Sequence, residues 1–429
     1  MVIQELRARI MKLDTEIGLQ RELLKQLQRD KSLAQRQLNA VVDPVARLPL
    51  EISSDIFLRT LAPLPLEPGA PHPPMLLLNI CHAWSDIAIA TPALWTTIHI
   101  IFPCASGVKD VLPIWLERSR NRPLSVLLEG KFDRDVVSVI WRHGQQLRHL
   151  EICEAEKGGE DTDQNAANDL MELWGATTSP GPLLSLVTLT IRDSMDRASE
   201  FSRISPFHIF ELLRLAPNLM ECLFCETDIV FAVGADQKLV LPNLRRLMFG
   251  EQGRCPSFDH NILKSLSLPG LEALSITVAS GHLLSFLKRS SPALRELVLG
   301  YESEFLPLAE CLRFAPDLKQ FELWETYCSL AEELFGALTE SASLLPQLSI
   351  LIINITDNEI PEISDSFWNA ALGALVARRT QLRFLRLTIP NLTDLEVPTP
   401  DIIAAFKGLV ADGMRVHISE SVGARNILD

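Results

Sequence analysis

A short pattern, Pro-x-Leu-x-x-Leu-x-Leu, returns at one phase through the later part of the chain, and few architectures can satisfy it. Pro242, Leu244, Leu247 and Phe249 make one clear copy, and Pro269, Leu271, Leu274 and Ile276 the next. Pro292, Leu294, Leu297 and Leu299, then Pro316, Leu318, Phe321 and Leu323, make two more, and weaker copies begin near Leu147, Leu186, Leu219, Leu348 and Leu382. The closing Leu-x-Leu has the period of a strand, whose alternate side chains share a face. Segments of helical period lie between the copies, at 207–216, 283–289, 306–315, 330–338 and 367–378. Each unit is therefore a strand followed by a helix. Starts at 244, 271, 294 and 318 differ by about twenty to thirty residues, the length of one turn of a repeat array, and the wider later gaps imply longer helices. No copy can bury its apolar face alone, so neighbours must stack into a solenoid.

Alternation also assigns the outward side of each strand. It predicts that Thr188, Thr190, Arg246, Met248, Glu296, Val298, Gln320, Glu322, Trp324, Phe384 and Arg386 face away from the leucine core. Of these, Arg246, Met248, Glu322, Trp324, Phe384 and Arg386 are the candidate partner-binding residues. Large aromatic and guanidinium groups dominate the energetics of protein interfaces.

At the other end, residues 3–41 place apolar side chains at alternating steps of three and four: Ile3, Leu6, Ile10, Leu13, Ile17, Leu24, Leu27, Leu38 and Val41, with Met11 beside the stripe. This is a heptad seam, interrupted by Gln20 and Lys31 and undersized at Ala34. No proline falls before Pro44, and Glu, Lys, Arg and Gln fill the remaining positions, as suits a long exposed helix. Two outcomes fit: self-association into a homo-oligomer, or packing back onto the same chain.

A formal charge of -14, with no sustained run of Lys or Arg, excludes the clustered positive charge that phosphate-backbone binding requires, so nucleic acid is not an expected partner. No apolar run of signal-peptide length opens the chain and none later reaches a spanning length, so a soluble intracellular protein, cytoplasmic or nuclear, with no membrane partner is expected. Eight cysteines at irregular spacing do not form the disulfide framework of a small secreted domain. Cys222 and Cys225 make the only C-x-x-C, without companion ligands for zinc, and Cys222 falls at a core position of its strand. Asn354 and Asn391 open glycosylation sequons that matter only in a secreted chain. Phosphate-loop, dinucleotide, nucleophile-elbow and zinc-hydrolase motifs are absent, and the nine histidines are scattered singly. No catalytic residue, metal ligand or cofactor is expected, and the chain is not read as an enzyme.

The remaining segment carries the most specific motif. Leu48, Pro49, Leu50, Glu51 and Ile52 are followed by Ile56 and Phe57, then by Cys81 and Trp84, then by Thr91, Pro92, Leu94 and Trp95. Pro49 suits the start of a helix, where its missing N–H costs nothing. A second apolar helix is predicted from Leu76 to Trp84 and a third near Pro92. So small a unit buries too little surface to be robust alone, which favours a partner over a private core. In this order the motif resembles an F-box. It departs from that family in a proline-rich insert at residues 62–74 and in His82 and Ala83 before the tryptophan.

The resemblance implies docking of a Skp-type adaptor, and through it a cullin-RING ubiquitin ligase, by Leu48, Pro49, Ile52, Ile56, Phe57, Cys81, Trp84, Pro92, Leu94 and Trp95. The later segment is similar to the leucine-rich-repeat part of F-box proteins. The expected organisation is an α/β protein with a coiled-coil helix (1–42), a three-helix F-box (46–100), a connecting segment (101–122) and a leucine-rich-repeat-like solenoid (123–429). The expected function is recognition of an unidentified protein substrate for a Skp-cullin-F-box ligase. A scaffold or small-molecule receptor acting outside a ligase is the alternative.

Overall fold

The computed structural model describes residues 2–61, 73–104, 107–130, 132–153, 181–192, 206–225, 238–250, 256, 262–278, 282–301, 307–355, 363, 365–390, 398–420 and 426–428. Most of the proline-rich insert and the sequon at Asn391 lie outside the described residues. The chain forms two compact units, Met1–His99 with Lys109–Leu124, and Ile100–Val108 with Ser125–Asp429. The fold is mixed α/β with a large, mostly parallel sheet, as the repeat pattern predicts.

The first unit begins with α1 (Val2–Val42), a single helix of 41 residues. After a 3-10 turn at Val45–Arg47 come α2 (Leu50–Arg59), α3 (Pro73–Leu77) and α4 (His82–Ala90), then a 3-10 turn at Pro92–Trp95 and α5 (Val108–Arg118). The continuous second helix expected from Leu76 to Trp84 is instead two helices. The Asn79 side chain donates to the Met75 carbonyl at 2.9 Å, closing the first of them, and Cys81 is fully extended before α4. The expected third helix near Pro92 is the short 3-10 turn, and the connecting segment contributes α5, whose Trp115 joins the unit's core.

Nine strands begin within two residues of where the pattern places them, and five others that it does not mark join them among the described residues. The strands are β1 (Thr97–Ile101), β2 (Leu124–Glu129), β3 (Leu147–Cys153), β4 (Thr188–Arg192), β5 (Glu221–Cys225), β6 (Leu239–Val240), β7 (Arg246–Phe249) and β8 (Leu266–Ser267). They continue with β9 (Ala273–Val278), β10 (Glu296–Tyr301), β11 (Gln320–Thr326), β12 (Ile350–Ile355), β13 (Phe384–Thr388) and β14 (Arg415–Ser419). Twelve of them form one sheet in the order β1-β2-β3-β4-β5-β7-β9-β10-β11-β12-β13-β14, while β6 and β8 pair separately. From β3 to β14 the neighbouring strands of this sheet run parallel. Returns between strands carry α6 (Arg134–Arg142), α7 (Pro206–Leu215), α8 (Ile262–Ser265), α9 (His282–Ser290), α10 (Leu308–Leu312), α11 (Cys328–Glu340), α12 (Asp365–Ala377) and α13 (Pro400–Ala411).

The patterned leucines are the core: Leu244, Leu247, Leu271, Leu274, Leu294, Leu297, Leu318 and Leu323 are all buried. One carbonyl at the entrance of β5, β7 and each of β9 to β13 keeps the copies in phase. Val187 O accepts from the N–H groups of Met220 and Glu221, Met220 O from Arg245 and Arg246, and Arg245 O from Glu272 and Ala273. Glu272 O then takes Arg295 and Glu296, Arg295 O takes Lys319 and Gln320, Lys319 O takes Ser349 and Ile350, and Ser349 O takes Arg383 and Phe384. A one-residue slip would break such a two-donor contact and turn a buried leucine outward, so register is fixed twice.

Two guanidinium groups, one buried and one half-buried, tie successive returns together. Arg378, 5% exposed, donates to the carbonyls of Leu338 (3.0 Å), Ser341 (2.5 Å), Ala342 (3.2 Å) and Leu344 (2.8 Å). Those carbonyls belong to the end of α11 and the loop beyond it, where helical acceptors run out. Arg289 does the same for Leu263 and Leu266 at the end of α8. Burial lowers the pKa of both arginines, and the ring of carbonyls offsets the cost of removing the charge from water.

Candidate functional site

Two surfaces gather the residues singled out from the sequence, one in each unit. In the first unit, Pro49 is the residue before α2, and its carbonyl accepts from the N–H groups of Ile52 (3.0 Å) and Ser53 (3.1 Å). Period then divides α2 into two faces. Ser53 and Phe57 turn inward: Ser53 Oγ donates to the Val45 carbonyl at 3.1 Å, and the Phe57 ring lies 4.8 Å from that of Trp84. Ser54 and Thr91 hydroxyls meet at 2.7 Å.

The core around them is closed by indoles. Trp95 Nε1 donates to the Ala88 carbonyl at 2.8 Å, and Trp115 Nε1 donates to the Trp95 carbonyl at 3.0 Å. The two rings meet edge to face at 5.1 Å, and the Arg118 guanidinium lies 4.5 Å from the Trp95 ring centre. Phe57, Cys81, Leu94 and Trp95 are thus buried, while Trp84 and Pro92 are half-buried. These residues shape the unit from within.

The other predicted residues face solvent. Leu48 is 41% and Ile52 51% exposed, Pro49 and Ile56 are exposed with them, and Leu50 and Leu76 add apolar surface that the sequence reading did not single out. Isolated exposed leucines need no explanation, but several branched side chains along one short helix of a small unit do.

In the second unit, parallel register lines the outward residues into rows across the strands. One row runs Thr188, Glu221, Arg246, Ala273, Glu296, Gln320, Ile350, Phe384 and Arg415. The next runs Thr190, Leu223, Met248, Ser275, Val298, Glu322, Ile352, Arg386 and His417. Arg246, Glu322, Trp324, Phe384 and Arg386 are half-buried on this face. Thr190 and Met248, on either side of Leu223, are buried despite their outward register.

Charge divides the face. Arg246 reaches across β9 to Glu296 at 2.9 Å, which the small Ala273 between them allows. Glu322 accepts from Gln320 Nε2 (2.7 Å) and from Trp324 Nε1 (3.0 Å). The register of β11 against β12 shifts between Leu323 and Thr326, and Glu325 there has φ +52°, so Trp324 sits where a bulge re-aims the strand. Toward the last strands the character changes: the guanidinium groups of Arg386 and Arg415 lie 5.6 and 5.5 Å from the Phe384 ring centre. Among the described residues neither arginine has an acidic partner. Arg415 and His417 were missed from the sequence because β14 follows α13 without the leading Pro-x-Leu. Their alternation with buried Val416 and Ile418 was the available signal.

The cysteines and sequon take places of their own. Burial pushes the Cys222 thiol far up, and pushes that of Cys311 up to about 11 with Glu310 adding to it. Cys222 and Cys225 stand three residues apart on one strand, an odd step that puts their side chains on opposite faces. Alkylation of the native protein is expected to leave Cys222 and Cys311 unmodified until denaturant is added, as read by peptide mass spectrometry; native labelling of Cys222 would contradict its burial. Asn354 is buried at the end of β12. Among the described residues no cluster of three or more His, Cys, Asp or Glu is placed to hold a metal ion, and no helix is long and apolar enough to cross a membrane. Compared with protein-family models and with curated proteins, the chain matches none.

Proposed function

We propose that the chain is the substrate-recognition subunit of a Skp-cullin-F-box ubiquitin ligase, with the first unit's helices as an F-box and the second unit as a leucine-rich-repeat-like solenoid that holds the target. The exposed apolar face of α2, with Leu48, Pro49, Ile52 and Ile56 outside a core of Phe57, Trp84, Leu94 and Trp95, carries this reading. A unit this small presents that surface where a partner helix can cover it. The chain's contribution is proximity: a target held near an activated ubiquitin reacts as if concentrated, with no catalytic group from this polypeptide. The direct test is binding of a purified Skp-type adaptor to the full chain, followed by addition of the cullin. Failure of the adaptor to bind would sink the proposal.

The target surface is the pair of rows from Glu322 to Arg415. An aromatic ring flanked by two arginines without acidic partners suits a segment that carries carboxylate or phosphate groups, since guanidinium pairs bidentately with both. Arg386→Ala and Trp324→Ala are each expected to cost about 2 kcal/mol of target affinity, in the range of interface hot spots. Adaptor binding should be unchanged in both. If the full set of captured proteins is retained by the double variant in a quantitative pull-down, this face is not the target surface.

A further inference from the structure

The long first helix carries a second surface that neither proposed site uses. Along α1 the described seam residues Ile10, Leu13, Ile17, Leu24, Leu27 and Leu38 are 46–58% exposed, and Val41 is 71% exposed. Although α1 touches α4, the stripe is not covered by the described residues of its own chain. Of the two outcomes left open by the periodicity, packing back is therefore not what these residues do. Gly18 inside the helix makes the isolated element weaker still, since glycine in a helix interior costs about 1 kcal/mol relative to alanine.

We infer that α1 joins a second copy of this chain in a parallel, in-register, two-stranded coiled coil. Three features of the seam choose this over other assemblies. In the first half of the seam Ile3, Ile10 and Ile17 occupy successive a positions, and Leu6, Leu13 and Leu27 are three of the d positions; β-branched residues at a with leucine at d favour two strands. Lys31 at one a position tolerates a dimer, where its stem can reach solvent, and penalises higher assemblies and shifted registers.

Flanking charge sets the direction. In a parallel dimer each g residue faces the e residue five positions later on the other copy. That brings Arg9 opposite Asp14 and Glu16 opposite Arg21, both attractive, and symmetry makes each contact twice. Antiparallel overlap of the same seam sets Glu16 against Asp30 and Arg21 against Arg21, both repulsive. Among the described residues none of Arg9, Asp14, Glu16 and Arg21 has an ion-pair partner within the chain, whereas Glu22 and Lys25 pair at 2.7 Å. The inference does not rest on the adaptor reading.

Analytical ultracentrifugation of the full chain over a dilution series tests it. The expected mass is that of two chains, reduced to one chain by Ile10→Asp with Ile17→Asp. Glu16→Arg is expected to raise the dissociation constant about tenfold, by turning two attractive contacts into repulsive ones. Adding Arg21→Glu to Glu16→Arg restores it. A single-chain mass for the unmodified protein overturns the inference, as does a mass of three or four chains. So does a dimer that survives the double aspartate variant. Tighter association of Glu16→Arg overturns the parallel orientation, because only the antiparallel pair gains by losing Glu16 opposite Asp30.

Discussion

Aspartate at both Ile52 and Ile56 is expected to weaken binding of a Skp-type adaptor by about a thousandfold, two hot-spot losses of about 2 kcal/mol each, while both compact units stay folded. The pair is chosen because it is exposed: neither side chain belongs to the core of Phe57, Trp84, Leu94 and Trp95. Phe57→Ala would also lose binding, but by emptying that core at a cost of about 3–5 kcal/mol, and so would not tell contact from collapse. Titration calorimetry gives the affinity, and unchanged circular dichroism and melting establish that the variant is folded. A folded double variant that binds the adaptor as well as the unmodified chain would remove the observation on which the ligase proposal stands.

Arg378→Met is expected to destabilise the second unit by about 4 kcal/mol, because the buried bonds to the Leu338 and Leu344 carbonyls are lost together with the part-buried ones to Ser341 and Ala342, and a buried carbonyl left unpaired costs about 1–3 kcal/mol. Methionine keeps the apolar stem, so the loss reports the guanidinium rather than a cavity. Lysine should recover only part of it. Its compact ammonium has no fork with which to reach the carbonyls of Leu338, Ser341, Ala342 and Leu344 at once. Denaturant midpoints measure the change, and amide exchange across residues 338–344 locates it. A cost below about 1 kcal/mol, the level of an ordinary surface substitution, would show that water satisfies these carbonyls instead.

The strands were the most legible part of the sequence. A buried parallel strand must carry apolar residues at fixed alternation, and Leu244, Leu271, Leu294 and Leu318 each mark where one begins. The outward residues followed from the same alternation, apart from the depth of Thr190 and Met248, which depends on the neighbouring strands and not on their own sequence. The short helices of the first unit were harder to read. Nothing in the apolar run at 76–84 announces the break at residues 78–81, because it is made by an asparagine side chain reaching back to a carbonyl. Trp115 was passed over because residues 101–122 were read as a connection, whereas α5 forms there with Pro113 inside it. Arg378 was invisible as a structural residue, since a lone arginine after a helix looks like solvent-facing charge until the loop that surrounds it is known.

The carbonyl that receives two N–H groups at the entrance of β5, β7 and each of β9 to β13 separates two kinds of information in this chain. It sets where the next strand starts without regard to how many residues were spent on the way back, and the returns do differ in length. The array thus counts strands rather than residues. A return can be lengthened, trimmed or exchanged while the outward rows keep their order, and a single strand can be rewritten while its neighbours hold position. Such a surface can change its chemistry one column at a time without disturbing the frame that carries it.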